Sequence, residues 1–135
     1  MAQKLFTFAQ FNNEQKTEML TDLYEIKPGT EETGKYSFEV FLNQNHAVYS
    51  GHFPGLPVTP GVCLLHIVKA CALKIINKAL RYEHIKTCKF LSVVNPEENN
   101  RLLVNLEIDD NNMIRASVNA EDKTVLKLKA KLIEL

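Results

Sequence analysis

Residues 51–80 read GHFPGLPVTPGVCLLHIVKACALKIINKAL, a loop rich in glycine and proline followed by a long apolar segment. No proline or glycine interrupts Val62–Leu80, and Pro60 lies just before it, where proline is compatible with the start of a helix. Apolar side chains recur at helical spacing over most of its circumference. A narrower polar arc carries His66, Lys69, Lys74, Asn77 and Lys78. The segment therefore predicts one long helix, nearly enclosed by a sheet or a partner.

Apolar and polar residues alternate in several segments around this helix, as they do in strands with one buried face. The predicted strands are Lys35–Leu42, Ile85–Val94, Leu102–Ile108, Ile114–Ala120 and Leu126–Leu132. Short turns join the later strands, which favours an antiparallel meander. One long helix against about five antiparallel strands is an α+β architecture. Near the N-terminus, Asn12–Ile26 predicts a short helix that ends at Lys27-Pro28-Gly29.

The composition is that of a globular protein, with 45% hydrophobic and 24% charged residues among 135. This length predicts a single domain over residues 1–135 that needs no metal or disulfide to fold. Sixteen basic residues balance sixteen acidic ones, so no overall field favours nucleic acid, and zero net charge favours self-association. We expect no membrane span and no signal peptide. Cys63, Cys71 and Cys88 form no CxxC pair, which predicts free thiols in the cytoplasm.

The loop before the helix has the features of a site for proton abstraction beside a carbonyl group. Its glycines and prolines hold backbone amides in set directions, and the first turn of a helix offers unpaired N–H groups with a partial positive charge. Gly61 allows a carbonyl oxygen to approach these amides, which would stabilise an enolate-like transition state. His52, on the same loop, is the candidate general base because an imidazole titrates near neutral pH.

The run from His52 to Val62, HFPGLPVTPGV, resembles the signature of the 3-hydroxyacyl-ACP dehydratases of the hotdog fold. The later stretch Lys89–Pro96 is similar to the family segment that borders the acyl channel. The resemblance covers residues 35–135, and residues 1–34 do not show the family's usual N-terminal motif. It implies a hotdog fold, in which an antiparallel sheet wraps around one central helix and two subunits pair so that their sheets become continuous.

The resemblance also implies roles for particular residues. His52 matches the catalytic histidine that takes the α-proton, and the amides of Gly61 and Val62 match the donors to the thioester carbonyl. The remaining substrate-binding candidates are Phe53, Gly55, Pro60 and Phe90. The acyl group would be carried on the phosphopantetheine of an acyl carrier protein or on CoA, with no metal and no redox cofactor.

One position departs from the family pattern. Members of the family carry a Glu or Asp on the helix, fourteen residues after the catalytic histidine and facing it from the other subunit, and this sequence has His66 there. A histidine can donate a proton, but it cannot supply the permanent negative charge that raises the pKa of the opposite imidazole. No acidic residue occurs elsewhere in Val62–Leu80 to replace it. His66 is therefore either a second catalytic residue or a polar surface residue.

These residues leave three functions open. The first is a homodimeric, or larger, dehydratase that eliminates water from a 3-hydroxyacyl thioester, with His52 and His66 as its catalytic residues. The alternatives are an acyl thioesterase and a non-catalytic subunit that binds an acyl carrier or supports assembly. We expect the strand after the helix to be the pairing edge of the dimer.

Other candidate sites have weaker support from the sequence. His46, His52, His66 and Cys63 match no standard zinc spacing, and Cys63 as a nucleophile lies among apolar neighbours. His84 is interpreted as structural. Two sets of lysines remain. The lysines of the first set could receive an acidic carrier protein: Lys69, Lys74, Lys78, Lys86 and Lys89. Those of the second set are interpreted as the solvated face of a strand: Lys127, Lys129 and Lys131.

Overall fold

The computed structural model describes residue 20, residues 22–50 and residues 57–135. Within these residues, seven strands form one antiparallel sheet beside a single long helix. The strands are β1 (Tyr24–Ile26), β2 (Thr30–Glu32), β3 (Lys35–Leu42), β4 (Leu80–Phe90), β5 (Arg101–Ile108), β6 (Met113–Ala120) and β7 (Lys123–Glu134), and the helix is α1 (Gly61–Ile76). A short 3₁₀ turn covers Ala47–Tyr49.

The strand order is β1-β3-β5-β6-β7-β4, with β2 paired to β3 as an added hairpin. All the pairings are antiparallel, and β5, β6 and β7 form the predicted meander. β4 follows the helix and pairs with β7 along one side only, so this eleven-residue strand is a free edge among the described strands. The expected α+β architecture is confirmed.

The core lies between the helix and the inner face of the sheet. Ile67, Val68, Cys71 and Ala72 of α1 are completely buried. They belong to one apolar cluster with inward-facing residues of β3 to β7, among them Val104. The alternation seen in the strands thus places every second side chain against the helix. This packing holds α1 against the inner face of the sheet.

Three predicted boundaries are wrong. The predicted helix Asn12–Ile26 does not extend over its last residues, because Tyr24–Ile26 is a strand paired with β3; most of the remainder lies outside the described residues. The helix ends at Ile76 and not at Leu80, because Asn77 adopts a left-handed conformation. The next strand runs over Leu80–Phe90 and not over Ile85–Val94, since bulges interrupt its alternation. The sheet has seven strands where about five were expected.

In the part of the chain that the structure describes, no helix is long and apolar enough to cross a membrane. The cysteines Cys63, Cys71 and Cys88 are all free thiols, as predicted. That residues 1–135 form a single domain stays a prediction.

Candidate active site

The start of α1 offers backbone donors that no side chain caps. Pro60 occupies the N-cap position in an extended conformation, and no acidic residue lies in the first turn. Its carbonyl accepts hydrogen bonds from the amides of Cys63 at 3.0 Å and Leu64 at 3.3 Å. Among the described residues, no carbonyl oxygen accepts from the amides of Gly61 or Val62. The first turn of a helix carries a partial positive charge, so the start of α1 suits a ligand oxygen.

Thr59 fixes the loop that leads into the helix. It is a buried polar residue, 3% exposed. Its amide donates to the carbonyl of Val94 at 2.9 Å, and its hydroxyl lies 3.0 Å from the hydroxyl of Tyr49. These bonds join three parts of the chain: the 3₁₀ turn, the loop before α1 and the segment after β4. The helix start and the segment that follows Phe90 are therefore held side by side.

His66 lies on α1, just over one turn beyond Gly61, and it is partly buried. The hydroxyl of Tyr24, on β1, lies 2.9 Å from His66 Nδ1. The two rings meet edge to face, with centroids 5.9 Å apart and an interplanar angle of 61°. The polar arc predicted for the helix is thus covered by β1 at this position, and His66 is not an ordinary surface residue.

The surroundings of this pair keep both groups neutral at physiological pH. Burial and, to a smaller extent, the positive charge of Lys69 together lower the pKa of His66 to about 4. Burial raises the pKa of the Tyr24 hydroxyl well above its usual range. Because the tyrosine keeps its proton, it can donate to Nδ1, and the neutral imidazole then carries its own proton on Nε2. His66 can thus offer a neutral N–H donor, not an imidazolium acid.

Phe90 is the last residue of β4 and is 45% exposed. Leu91 and Val93 follow it and are 52% and 74% exposed. These three residues form an exposed apolar segment at the free edge of the sheet, next to the loop that Thr59 anchors to Val94. Phe90 is therefore available to a ligand or to a second subunit.

The remaining candidates have structural positions. His46 caps the 3₁₀ turn, since its Nδ1 accepts from the amide of Val48 at 3.0 Å. His84 is an exposed residue within β4, not before it. Cys63 is completely buried, and burial raises its pKa to about 12, so its thiol stays protonated and is a poor nucleophile.

The structure places Gly61, Val62 and His66 on one helix, with Pro60 at its N-cap. His52, Phe53 and Gly55 lie outside the described residues, so their roles stay predictions.

Tyr24 is the residue that sequence reasoning missed. It lies in a stretch whose spacing suggested a helix, and its three-residue strand is too short for alternation to be recognised. The one local signal was the position of Tyr24 just before the break at Lys27-Pro28-Gly29.

Comparison with known proteins supports the resemblance seen in the sequence. The ApeI dehydratase (ApeI-like) family matches residues 28–129. The 3-hydroxyacyl-[acyl-carrier-protein] dehydratase FabZ of Ligilactobacillus salivarius is 32% identical over 96 residues, which are 66% of this chain and 66% of that protein. FabZ of Lactobacillus helveticus is 33% identical over 88 residues, 58% of this chain and 60% of that protein. The match thus spans slightly less than two thirds of these relatives' length.

A chain of the dehydratase heterocomplex ApeI:P from Xenorhabdus doucetiae superimposes with a TM-score of 0.70 at 21% identity. The superposition covers 82% of this chain and 97% of that chain. This likeness confirms the hotdog fold, with its antiparallel sheet around one helix. From the match over residues 28–129 it follows that this chain is a member of the ApeI-like dehydratase family.

Proposed function

We propose that this chain eliminates water from a 3-hydroxyacyl thioester and so forms a 2-enoyl thioester. The observation that supports the proposal is the start of α1 in a chain of a dehydratase family: no side chain caps this helix, and no carbonyl of the described residues accepts from the amides of Gly61 or Val62. Donors at a helix N-terminus stabilise the negative charge that develops on a thioester oxygen when the neighbouring carbon loses a proton.

In the proposed reaction, His52 takes the proton from the carbon next to the carbonyl. The electron pair of that C–H bond forms the new double bond, and the bond from the β-carbon to its hydroxyl breaks. The hydroxyl leaves as water after it takes up the proton that His52 removed, which returns His52 to its neutral form. Atoms and electrons balance without an oxidant or a reductant, and we therefore propose that no metal, flavin or nicotinamide takes part.

His66, contributed by the helix of the opposing subunit, is proposed to hold the departing hydroxyl. A neutral imidazole with its proton on Nε2 donates a hydrogen bond to that oxygen, and Tyr24 keeps the ring in this tautomer. This support is weaker than that of a protonated acid, because the low pKa of His66 leaves almost no imidazolium at neutral pH. Dehydration should therefore be slower than with a carboxylic acid at the same position.

The proposed substrate is an acyl group on the phosphopantetheine of a carrier protein or on CoA. The FabZ relatives are named for acyl-carrier-protein substrates, and this supports the carrier over CoA. Phe53, Gly55, Pro60 and Phe90 are proposed to contact the pantetheine and the acyl chain. We also propose a cytoplasmic location, since carrier-bound acyl groups are made there.

The proposed assembly is a dimer that pairs through the free edge of β4, where exposed apolar residues follow Phe90. A homodimer would place His66 of one subunit opposite His52 of the other.

A second candidate function is a non-catalytic subunit that pairs with a different chain. The observation in its favour is that α1, Gly61–Ile76, contains no Asp or Glu, while His66 is held neutral. A relative in the fold comparison is described as a heterocomplex, ApeI:P, which gives this arrangement a precedent. In such a pair the other chain would supply the carboxylate.

One assay separates these candidates. The purified protein is incubated with a 3-hydroxyacyl-ACP, and enoyl product, free acid and carrier binding are followed together. We expect enoyl product that disappears in His52→Ala. Release of free acid would instead identify a thioesterase, and saturable carrier binding with neither product would identify the non-catalytic subunit.

The variant His66→Glu tests whether His66 limits the rate of dehydration. If the native protein is a dehydratase limited by His66, this variant raises the rate of enoyl formation while His46→Gln, a change at a structural histidine, leaves it unaltered. A native rate that His66→Glu lowers would show that the imidazole itself is the better catalyst here.

A further inference from the structure

A broad basic groove crosses the outer face of the sheet, on the side away from α1. Its volume is about 1050 Å³, and five cationic and two acidic side chains line it. The cations are Lys35, Lys89, Arg115, Lys127 and Lys129. In the described part of the chain, none of them lies within 4.0 Å of a carboxylate. This local excess of positive charge contrasts with the zero net charge of the whole chain.

Strand register places four of these cations next to one another. Arg115 of β6 lies directly opposite Lys129 of β7, and Lys127 of β7 lies directly opposite Lys89 of β4. Lys127 and Lys129 share a face because they are two residues apart on one strand. Buried Leu128, between them, points to the helix side. The four cations therefore form a compact cluster, about 4.8 Å apart across the strands and 6.7 Å along them.

These cations repel one another, which lowers the stability of the sheet. Exposure to solvent alone does not explain why they lie together. Like charges directly opposite each other on neighbouring strands destabilise a sheet, and the cluster contains two such pairs. Lysine is common on edge strands, and Lys89 lies on one, β4. Arg115 on β6 also lies opposite Glu107 of β5, which offsets part of this repulsion. Lys127 and Lys129 lie on the interior strand β7 with no acidic residue directly opposite them, and they need another reason.

The chemistry of the groove favours a protein ligand over a small molecule or a nucleic acid. Pockets for small molecules are mostly apolar, whereas this groove is open and lined by charges, hydroxyls and amides, such as Ser37 and Asn105. Nucleic-acid binding surfaces belong to strongly basic domains and use aromatic rings for stacking. This chain has sixteen acidic residues, and Tyr36 is the single aromatic residue in the lining.

We propose that this basic groove docks an acidic helix of another protein, with carboxylates three or four residues apart. Residues at this spacing on a helix have Cβ atoms about 6 Å apart, which matches the spacing of the cation cluster. A helix about 10 Å in diameter also fits across a face of five strands, which is about 19 Å wide. The proposal is independent of the reaction proposed above, since the groove lies on the opposite side of the sheet from Gly61 and His66.

The test uses two synthetic helical peptides, one with glutamate at every fourth position and one with glutamine at the same positions. Binding of each labelled peptide to the full chain is measured by fluorescence anisotropy at low and at physiological salt. We expect the glutamate peptide to bind and the glutamine peptide not to bind. Binding should weaken with added salt, because exposed charges are screened within about 8 Å at physiological ionic strength.

The informative variant is Lys127→Gln/Lys129→Gln, and the control is Lys74→Gln/Lys78→Gln, which removes the same charge at the end of α1 and beyond it. We expect the first variant to weaken binding about tenfold, since each exposed ion pair contributes up to roughly 1 kcal/mol, and the control to change it less than twofold. Thermal unfolding checks that both fold, and the groove variant should melt no lower than the native chain because it loses like-charge repulsion.

Three results would overturn the proposal. They are no binding of the glutamate peptide at low salt, equal loss of binding in the groove variant and the control, and tighter binding of a single-stranded oligonucleotide than of the peptide. The last result would assign the groove to nucleic acid.

Discussion

At the scale of single residues, His66 decides how far the chemistry of the family can be assumed for this chain. We propose that His66 occupies the position of the family carboxylate, and its contact with Tyr24 gives it a defined orientation. A carboxylate would bring negative charge to the site, whereas His66 is neutral because burial lowers its pKa. His66 therefore gives this position different electrostatics from a carboxylate.

The role of Tyr24 can be tested apart from activity. In Tyr24→Phe the hydrogen bond to Nδ1 is lost, and we expect the ¹⁵N NMR signals of His66 to shift from a single Nε2–H tautomer toward a mixture. For the proposed reaction, kcat should fall about fivefold with little change in KM, since one hydrogen bond contributes about 1 kcal/mol. Tyr36→Phe, which removes the hydroxyl of another tyrosine of the sheet, on β3, is the control. An unchanged tautomer in Tyr24→Phe would contradict the assignment.

The lowered pKa of His66 also predicts how stability depends on pH. The unfolded chain binds a proton at this residue below about pH 6.5, whereas the folded chain does so only near pH 4. Stability should therefore be complete above pH 6.5 and decline as the pH falls through this window, by about 2 kcal/mol from this group. Urea unfolding of the native chain and of His66→Gln at pH 7.5 and pH 4.5 measures the difference. Equal losses in the two proteins would show that His66 does not contribute.

At the scale of elements, the end of α1 shows how one residue sets a boundary. Asn77 has φ 61°, a left-handed conformation, and its amide donates to the carbonyl of Leu73 at 2.6 Å. Asparagine and glycine adopt this conformation at low cost, whereas a β-branched residue does not. The chain can therefore turn here and reach Leu80, where β4 begins.

This boundary gives a stability prediction. Asn77→Val should lower the free energy of unfolding by about 1–2 kcal/mol, because of the left-handed conformation, and Asn77→Gly should leave it nearly unchanged. Ala79→Val, at an exposed position, is the control for β-branching. Denaturant unfolding of the three variants measures the effect. A loss in Asn77→Val no larger than that in Ala79→Val would show that the left-handed turn is not the cause.

At the scale of the whole molecule, β4 connects the fold to its proposed assembly. One side of this strand pairs with β7, and the segment after it exposes Leu91 and Val93. An unpaired strand edge next to exposed apolar residues favours association with a second chain.

Changes to this segment test the dimer. We expect the native chain to be dimeric by light scattering and Leu91→Lys/Val93→Lys to shift it toward monomer, because burying two ammonium groups at an interface is costly. Leu135→Lys adds a charge at another exposed leucine, 78% exposed, and should leave the dimer intact. A native chain that is monomeric, or a double variant that stays fully dimeric, would exclude this edge as the interface.

The sequence by itself determined the architecture and the family. Alternation in β5, β6 and β7 and the unbroken apolar run before Ile76 depend on local periodicity, and a motif such as HFPGLPVTPGV depends only on residue order. The tertiary structure decided what periodicity cannot encode. Bulges shifted the limits of β4, and a three-residue strand placed Tyr24 against His66. The pKa of His66 depends on burial, and the basic groove depends on the register between strands. Both therefore arise from contacts between residues distant in sequence.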